Sequence, residues 1–448
     1  MTEIVSSCII CPIFDDLKQS KFTTRTKKLI CCHRCSNELS KCAESPVIIL
    51  KDSLRKIFEN GSLRYLSYRG RSLPHNLYSL KILVCYNLKE LPYNIVPGLK
   101  ELHSYSPDLK FDHVYFRLLY KLVCPGSNMT SLPDAPLLRH LNIRHSKIDR
   151  VPPRRIHFVS SEHAWGHYLR YLDVSDTNVD VLPNTLISLQ ELYCNNTNIK
   201  EVPLEYTKLK ILQCSYTLIN TLPDTLESLE FLKWNGDSRM GAINSYLDYK
   251  LYYIPDTFKN LKVLISNNIR EVPDTFTGTY LNIYNSYVNT LTEDMCKNLR
   301  YLNCSMTYIK EIKPLHNLRF LDCSSTNIKD ISSAVNLKHL ECANTEIKTI
   351  EHIKNLKYLD YITIPVDQSI SLSSTMYFDK IPMSVKYLHA NRFHVSKNLL
   401  SYNGAIKNYS QMYKNVWFKL LALDKILCDD LYHAFKSYFF KILFILKE

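Results

Sequence analysis

Four cysteines near the start of the chain, Cys8, Cys11, Cys32 and Cys35, form two C-x2-C pairs with 20 residues between them. Thiolates at this spacing can supply two knuckles to a tetrahedral zinc ion, so a structural zinc site is expected from these four, with Cys31, His33 and Cys42 as spare ligands. The plain alternative is a terminal segment whose cysteines are incidental, since the glycines and aromatics common in zinc ribbons are sparse here. A second candidate is "HFVSSEHAWGH", in which His163 and His167 are four apart with His157 upstream. On a helix that pair could share a metal. Glu162 precedes His163, however, so the glutamate of H-E-x-x-H is missing, and exposed loop histidines are the default. Cys428, followed by two aspartates, is read as a packing residue. None of these groups forms a catalytic constellation, and a non-enzymatic role is expected, with no cofactor beyond the zinc.

What must position such residues is set by the rest of the chain. Only nine of 448 residues are glycine and no two make a G-x-G pair, which removes the dinucleotide fingerprint and the phosphate loop. Lys and Arg exceed Asp and Glu by 56 to 43, a mildly basic balance that permits anionic partners without demanding them. The first residues are acidic where a signal peptide is basic, and no run of about 18 uncharged apolar residues follows. The expectation is an intracellular, cytoplasmic protein with reduced thiols.

The organisation is repetitive. "ELYCNNTNIKEVP" begins at Glu191, and Leu192, Cys194, Thr197, Ile199, Val202 and Pro203 return 20 residues later as Leu212, Cys214, Thr217, Ile219, Leu222 and Pro223. The block L-x-x-L-x-C-x-x-T-x-I-x-x-L-P starts at Leu63, Leu80, Leu99, Leu119, Leu138, Leu169, Leu189, Leu209, Leu229, Leu261, Leu299, Leu318, Leu337 and Leu356, with weaker copies around Leu281 and Val385. One block buries about five apolar side chains at roughly 1.5 to 3 kcal/mol each, while ordering its backbone costs roughly 1 to 2 kcal/mol per residue. A single copy therefore cannot fold alone. Stacked copies cover one another, and the alternating L-x-L segments should pair as parallel strands.

This block resembles the leucine-rich repeat family, in its short class of about 20 residues with "LP" ends, found in some bacterial effectors and in proteins of giant amoeba-infecting, mimivirus-like DNA viruses. The richness in Lys, Asn, Ile and Tyr fits an AT-rich genome of that kind. The resemblance implies an α/β right-handed horseshoe with parallel strands on its concave face and a role in binding macromolecules. The family's usual asparagine after the strand is replaced by Thr177, Thr197, Thr217, Thr307, Thr326 and Thr345, or by Ser127, Ser146 and Ser286, whose hydroxyls are expected to bond turn backbone between neighbouring coils. Cys85, Cys124, Cys194, Cys214, Cys304, Cys323 and Cys342 take the sixth position, where the family points an apolar residue inward, and act as small hydrophobes.

Positions two, three and five of each block then face outward. The second is Lys or Arg in most copies. The third favours aromatics, among them Tyr171, Phe231, Tyr301, Phe320 and Tyr358, and the fifth turns acidic or amide late in the array, at Asn303, Asp322, Glu341 and Asp360. These nine residues are the candidate protein-binding surface, with aromatic anchors beside opposite charges. The plain alternative is cross-strand stabilisation by the rings and solvation by the charges. A basic row with interleaved aromatics also suits single-stranded nucleic acid, but Asp322, Glu341 and Asp360 would repel phosphate.

The expected domains are a Cys-rich segment over 1–45, a cap over 46–62, the repeat array over 63–400 and a helical C-terminal cap over 401–448, read from Trp417, Leu420, Leu421, Leu427, Leu431 and Phe435. The apolar "YFFKILFIL" near the end makes a partner or membrane helix the competitor, although membrane attachment is not expected. Insertions fall near Pro153–Gly166, Gly236–Tyr252 and Ile362–Met383. The N-terminal cysteines partly resemble the first half of a RING finger, which implies an alternative role as a substrate-recognition adaptor or ubiquitin-ligase-like protein. The Cys428 segment is similar to the C-x-D motif of bacterial effector ligases, but their catalytic domain is far longer than this tail. The partner is expected to be another protein.

Overall fold

The computed structural model describes residues 64–360, apart from residue 70 and segments 74–76, 112–113, 152–165 and 237–251, together with strand residues 20–23, 28–31, 48–49 and 387–389 and positions 382, 384 and 385. The cysteines proposed for zinc, His157, His163, Cys428 and the helical C-terminal cap lie outside the described residues. Ser20–Thr23 and Lys28–Cys31, between the two C-x2-C pairs, form a two-stranded antiparallel hairpin.

From Ile48–Ile49 to Tyr387–His389 each strand pairs in parallel with the next one in sequence. The register is constant: Leu192 lies opposite Leu212, Leu212 opposite Leu232 and Leu302 opposite Leu321. No pairing joins the first strand to the last among the described residues, so the sheet is one open ribbon of coils and not a closed barrel. The second leucine of every described block, from Leu66 to Leu359, is fully buried, as are all seven ladder cysteines. A single apolar column runs the length of the array, which is how coils too small to fold alone become stable.

Helix is almost absent among the described residues, which narrows the expected α/β class to a β-solenoid. Among the described residues the only α-helix is one short turn, Glu293–Lys297. The reason is spatial. In the usual coil, as between Val202 and Leu209, a proline and five further residues separate the inward position of I-x-x-L-P from the next first leucine, which leaves too few residues for a stable helix. The helix arises where Thr292 replaces that proline: its Oγ1 accepts from Met295 N, Glu293 and Asp294 occupy the first turn, and Lys297 the last.

Two residues past the inward cysteine the chain turns through the left-handed region. Among the described residues nine non-glycine positions have positive φ, including Asn196 (55°), Asn344 (54°), Tyr216 (59°) and Met306 (55°), and Gly126 (67°) takes the same place in its own coil. Asparagine tolerates this conformation; tyrosine and methionine do so at a cost. The turn lets Asn196 N donate to Ser215 O and Met306 N to Ser324 O in the following coil. The threonines that follow do not bond between coils as expected. Each donates back within its own coil, Thr197 Oγ1 to Cys194 O at 2.8 Å and Thr326 Oγ1 to Cys323 O at 2.6 Å. Of the expected hydroxyls Ser286 does reach the neighbouring coil, its Oγ donating to Ser266 O at 3.5 Å, and asparagines just before the first leucine add a regular set of bonds between coils: Asn298 donates to Thr277 O, Asn317 to Lys297 O and Asn336 to His316 O.

Candidate interaction surface on the open sheet face

Because side chains alternate along a strand, the fourth and sixth positions enter the core and the third and fifth emerge on the other face. Constant parallel register then turns each position into a row. The third-position row runs Glu101, Lys121, His140, Tyr171 and Glu191, passes through Ile211, Phe231 and Val263, and is a continuous run of rings from Tyr280 to Tyr358. Tyr280 stacks on Tyr301 at 4.0 Å between ring centroids, Tyr301 on Phe320 at 4.2 Å, Phe320 on His339 at 4.4 Å and His339 on Tyr358 at 4.0 Å. Strands about 4.8 Å apart set that spacing.

Stacking changes what the predicted anchors can offer. Phe231 (4% exposed) and Tyr358 (3%) are buried, and Phe231 forms a small second core with Val263 and Tyr280. Tyr301 and Phe320 are half-buried with both faces covered by neighbouring rings, so their edges are what reach the surface. Tyr171 lies apart from this ladder, stacked on His140 at 3.9 Å. Rings in this arrangement stabilise the sheet by cross-strand contact.

The fifth-position residues are brought together in one row: Asn303 lies opposite Asp322, Asp322 opposite Glu341 and Glu341 opposite Asp360. Two of them also organise the turn that follows. Asn303 Oδ1 accepts from Ser305 N at 3.0 Å, and Asp322 Oδ1 from Ser324 N at 3.1 Å. Glu341 accepts from His339 Nε2 at 2.7 Å. Burial, and then the Glu341 charge, push the Asp322 carboxyl up to about 6. Burial pushes His339 down to about 3, so the imidazole is neutral at physiological pH and its Nε2 carries the proton given to Glu341.

In the early coils Glu101 is held at about 2, chiefly by its hydrogen bond from His103 and further by Tyr120 and Lys121. Sequence reading did not single out this Glu101, His103 and Tyr120 group, although their register on successive coils was its available signal. The second-position row is exposed or half-buried and not uniformly basic: Glu230 interrupts it and pairs with Lys262 at 2.6 Å and Lys210 at 3.5 Å. The ladder thiols are pushed up by burial, and Cys323 lies well above the usual range. Among the described residues no group of three or more His, Cys, Asp or Glu side chains is placed to hold a metal, and no helix is long and apolar enough to cross a membrane.

Fold and surface together define a parallel-strand repeat solenoid with one open sheet face. No protein family's sequence model and no curated protein matches the chain. Among solved structures, it is similar to a leucine-rich repeat protein of Leptospira interrogans at 17% identity, covering 83% of this chain and 98% of that one, with a TM-score of 0.47. It is similar to YopM, a leucine-rich effector protein from Yersinia pestis, at 20% identity over 71% of this chain and 85% of that one, with a TM-score of 0.48. The functional domain of InlJ from Listeria monocytogenes, which includes a cysteine ladder, is similar at 19% identity over 60% of this chain, with a TM-score of 0.46. The chain spans 62% of that domain structure's length.

Proposed function

We propose that this protein is a non-enzymatic scaffold that binds another protein on the open, concave face of its sheet, through a segment rich in lysine or arginine. The observation that supports this reading is the row Asp322, Glu341 and Asp360 on three adjacent parallel strands. Like charges directly opposite one another destabilise a sheet, and Asp322 carries the further cost of burial at 9% exposure. The turn contact to Ser324 N does not require that charge, since an asparagine Oδ1 would keep it. A cationic partner would offset it, with the ring edges of Tyr301 and Phe320 alongside as apolar contact.

The test is affinity capture from native cells with the full chain and with its Asp322→Asn, Glu341→Gln, Asp360→Asn triple variant. Proteins that bind on this face should be recovered with the intact chain and lost with the variant; equal recovery refutes the reading. The zinc staple at Cys8, Cys11, Cys32 and Cys35 is a separate proposal, which elemental analysis of the purified protein decides.

A further inference from the structure

At the edge of the sheet that leads into the strands, one coil lacks its first leucine. Leu261 and Leu299 fill that core position in the flanking coils, both buried, whereas the coil that supplies strand Tyr280–Asn282 has Gly278 there. A Cβ at residue 278 would overlap the Lys262 carbonyl, and the fully buried Phe276 ring fills the core beside it. The glycine thus lets the backbone sink against the preceding coil.

The indentation that results is an open cleft of about 480 Å³. Lys259, Lys262, Arg300, Thr279, Asn298 and Asn317 line it, and no carboxylate does. Glu230 engages Lys262 from the preceding coil. Among the described residues no carboxylate pairs with Lys259 or Arg300, both of which are exposed. Asn298 and Asn317 are fixed by their bonds to Thr277 O and Lys297 O. A concave surface with cationic donors, a hydroxyl and fixed amides complements an oxyanion, and a guanidinium fork suits a tetrahedral one. Glu230 and Thr279 interrupt the second-position basic row next to the cleft, so the charge is focused on one group and does not form a track along a polynucleotide.

We propose that the Gly278 cleft binds a phosphate-type dianion, a phosphate monoester or pyrophosphate group, through Arg300 and Lys259 with Thr279 as hydroxyl donor. The site lies outside the third- and fifth-position rows and stands whether or not those rows bind a partner.

Isothermal titration of the full chain with sodium pyrophosphate, at ionic strength held constant with sodium chloride, tests it. Saturable binding to one site is expected. Arg300→Gln with Lys259→Gln should weaken it by about tenfold or more, while Lys338→Gln with Lys357→Gln, from the same row farther along, should leave it unchanged. A serine-phosphorylated peptide and its unmodified form, added as competitors, distinguish sources. Competition by the phosphorylated form alone supports a protein-borne phosphate; competition by neither, with pyrophosphate still bound, supports a free one. The proposal is overturned if no saturable binding occurs, if both double variants lose affinity equally, or if a short oligothymidylate binds more tightly than pyrophosphate.

Discussion

Asp322→Asn should make the protein more stable and a poorer binder at once. The Asp322 carboxyl stands at about 6 against an ordinary 3.8, because it is buried and lies opposite Glu341. Ionising it in the folded chain therefore costs about 3 kcal/mol more than in the unfolded chain. The folded state holds this proton more tightly, so the group's contribution to stability is complete below pH 3.8 and is lost as pH rises through 6. Asparagine has no charge to bury, and its Oδ1 can still accept from Ser324 N. Above pH 6 the variant should gain about 1 to 3 kcal/mol, allowing for relaxation around the wild-type carboxylate, and near pH 4 the two chains should be closely matched. Urea midpoints of both chains at pH 4 and pH 8 measure this. A midpoint difference that is the same at both pH values, or a variant less stable at pH 8, refutes the reasoning. A gain in stability together with loss of the captured partner is the expected signature of a residue retained for recognition.

Gly278→Ala should cost roughly 1 to 3 kcal/mol by overpacking against the Lys262 carbonyl, whereas Gly126→Ala, with open space around its Cβ, should cost only about 1 kcal/mol of left-handed strain. Equal urea midpoints would remove the close approach at 278. Met306→Asn should stabilise by roughly 0.5 to 1 kcal/mol, because Met306 holds φ 55° with 58% of its surface exposed; a lowered melting temperature would count against it. The eight buried cysteines of the described residues should resist Ellman's reagent in the folded protein and react only in denaturant. Fast native labelling of Cys323, located by mass spectrometry, would contradict the buried column.

The period of leucine and cysteine was legible in the sequence because burial acts at fixed positions of one coil, and each copy repeats the same local demand. The row Asn303, Asp322, Glu341 and Asp360 was legible for the same reason, since a constant period implies constant register. Other features depended on neighbouring coils and were not. Phe231 and Tyr358 are surface aromatics by position, yet rings one strand spacing apart cover one another, and exposure is a property of the row. The threonine hydroxyls found a carbonyl three residues back in their own coil sooner than one in the next. Asn298, Asn317 and Asn336, just before the first leucine, bond to the preceding coil, and nothing within one repeat marks those amides for that contact.

The sequence by itself determined that this chain is an array, because no single block of 20 residues buries enough apolar surface to fold. Only the tertiary structure decided what the array presents to a partner. Stacking the coils covered the aromatic faces, buried Asp322 and opened a cationic cleft where Gly278 replaces a leucine, and each of these arises from the distance between neighbouring coils, which no single repeat encodes.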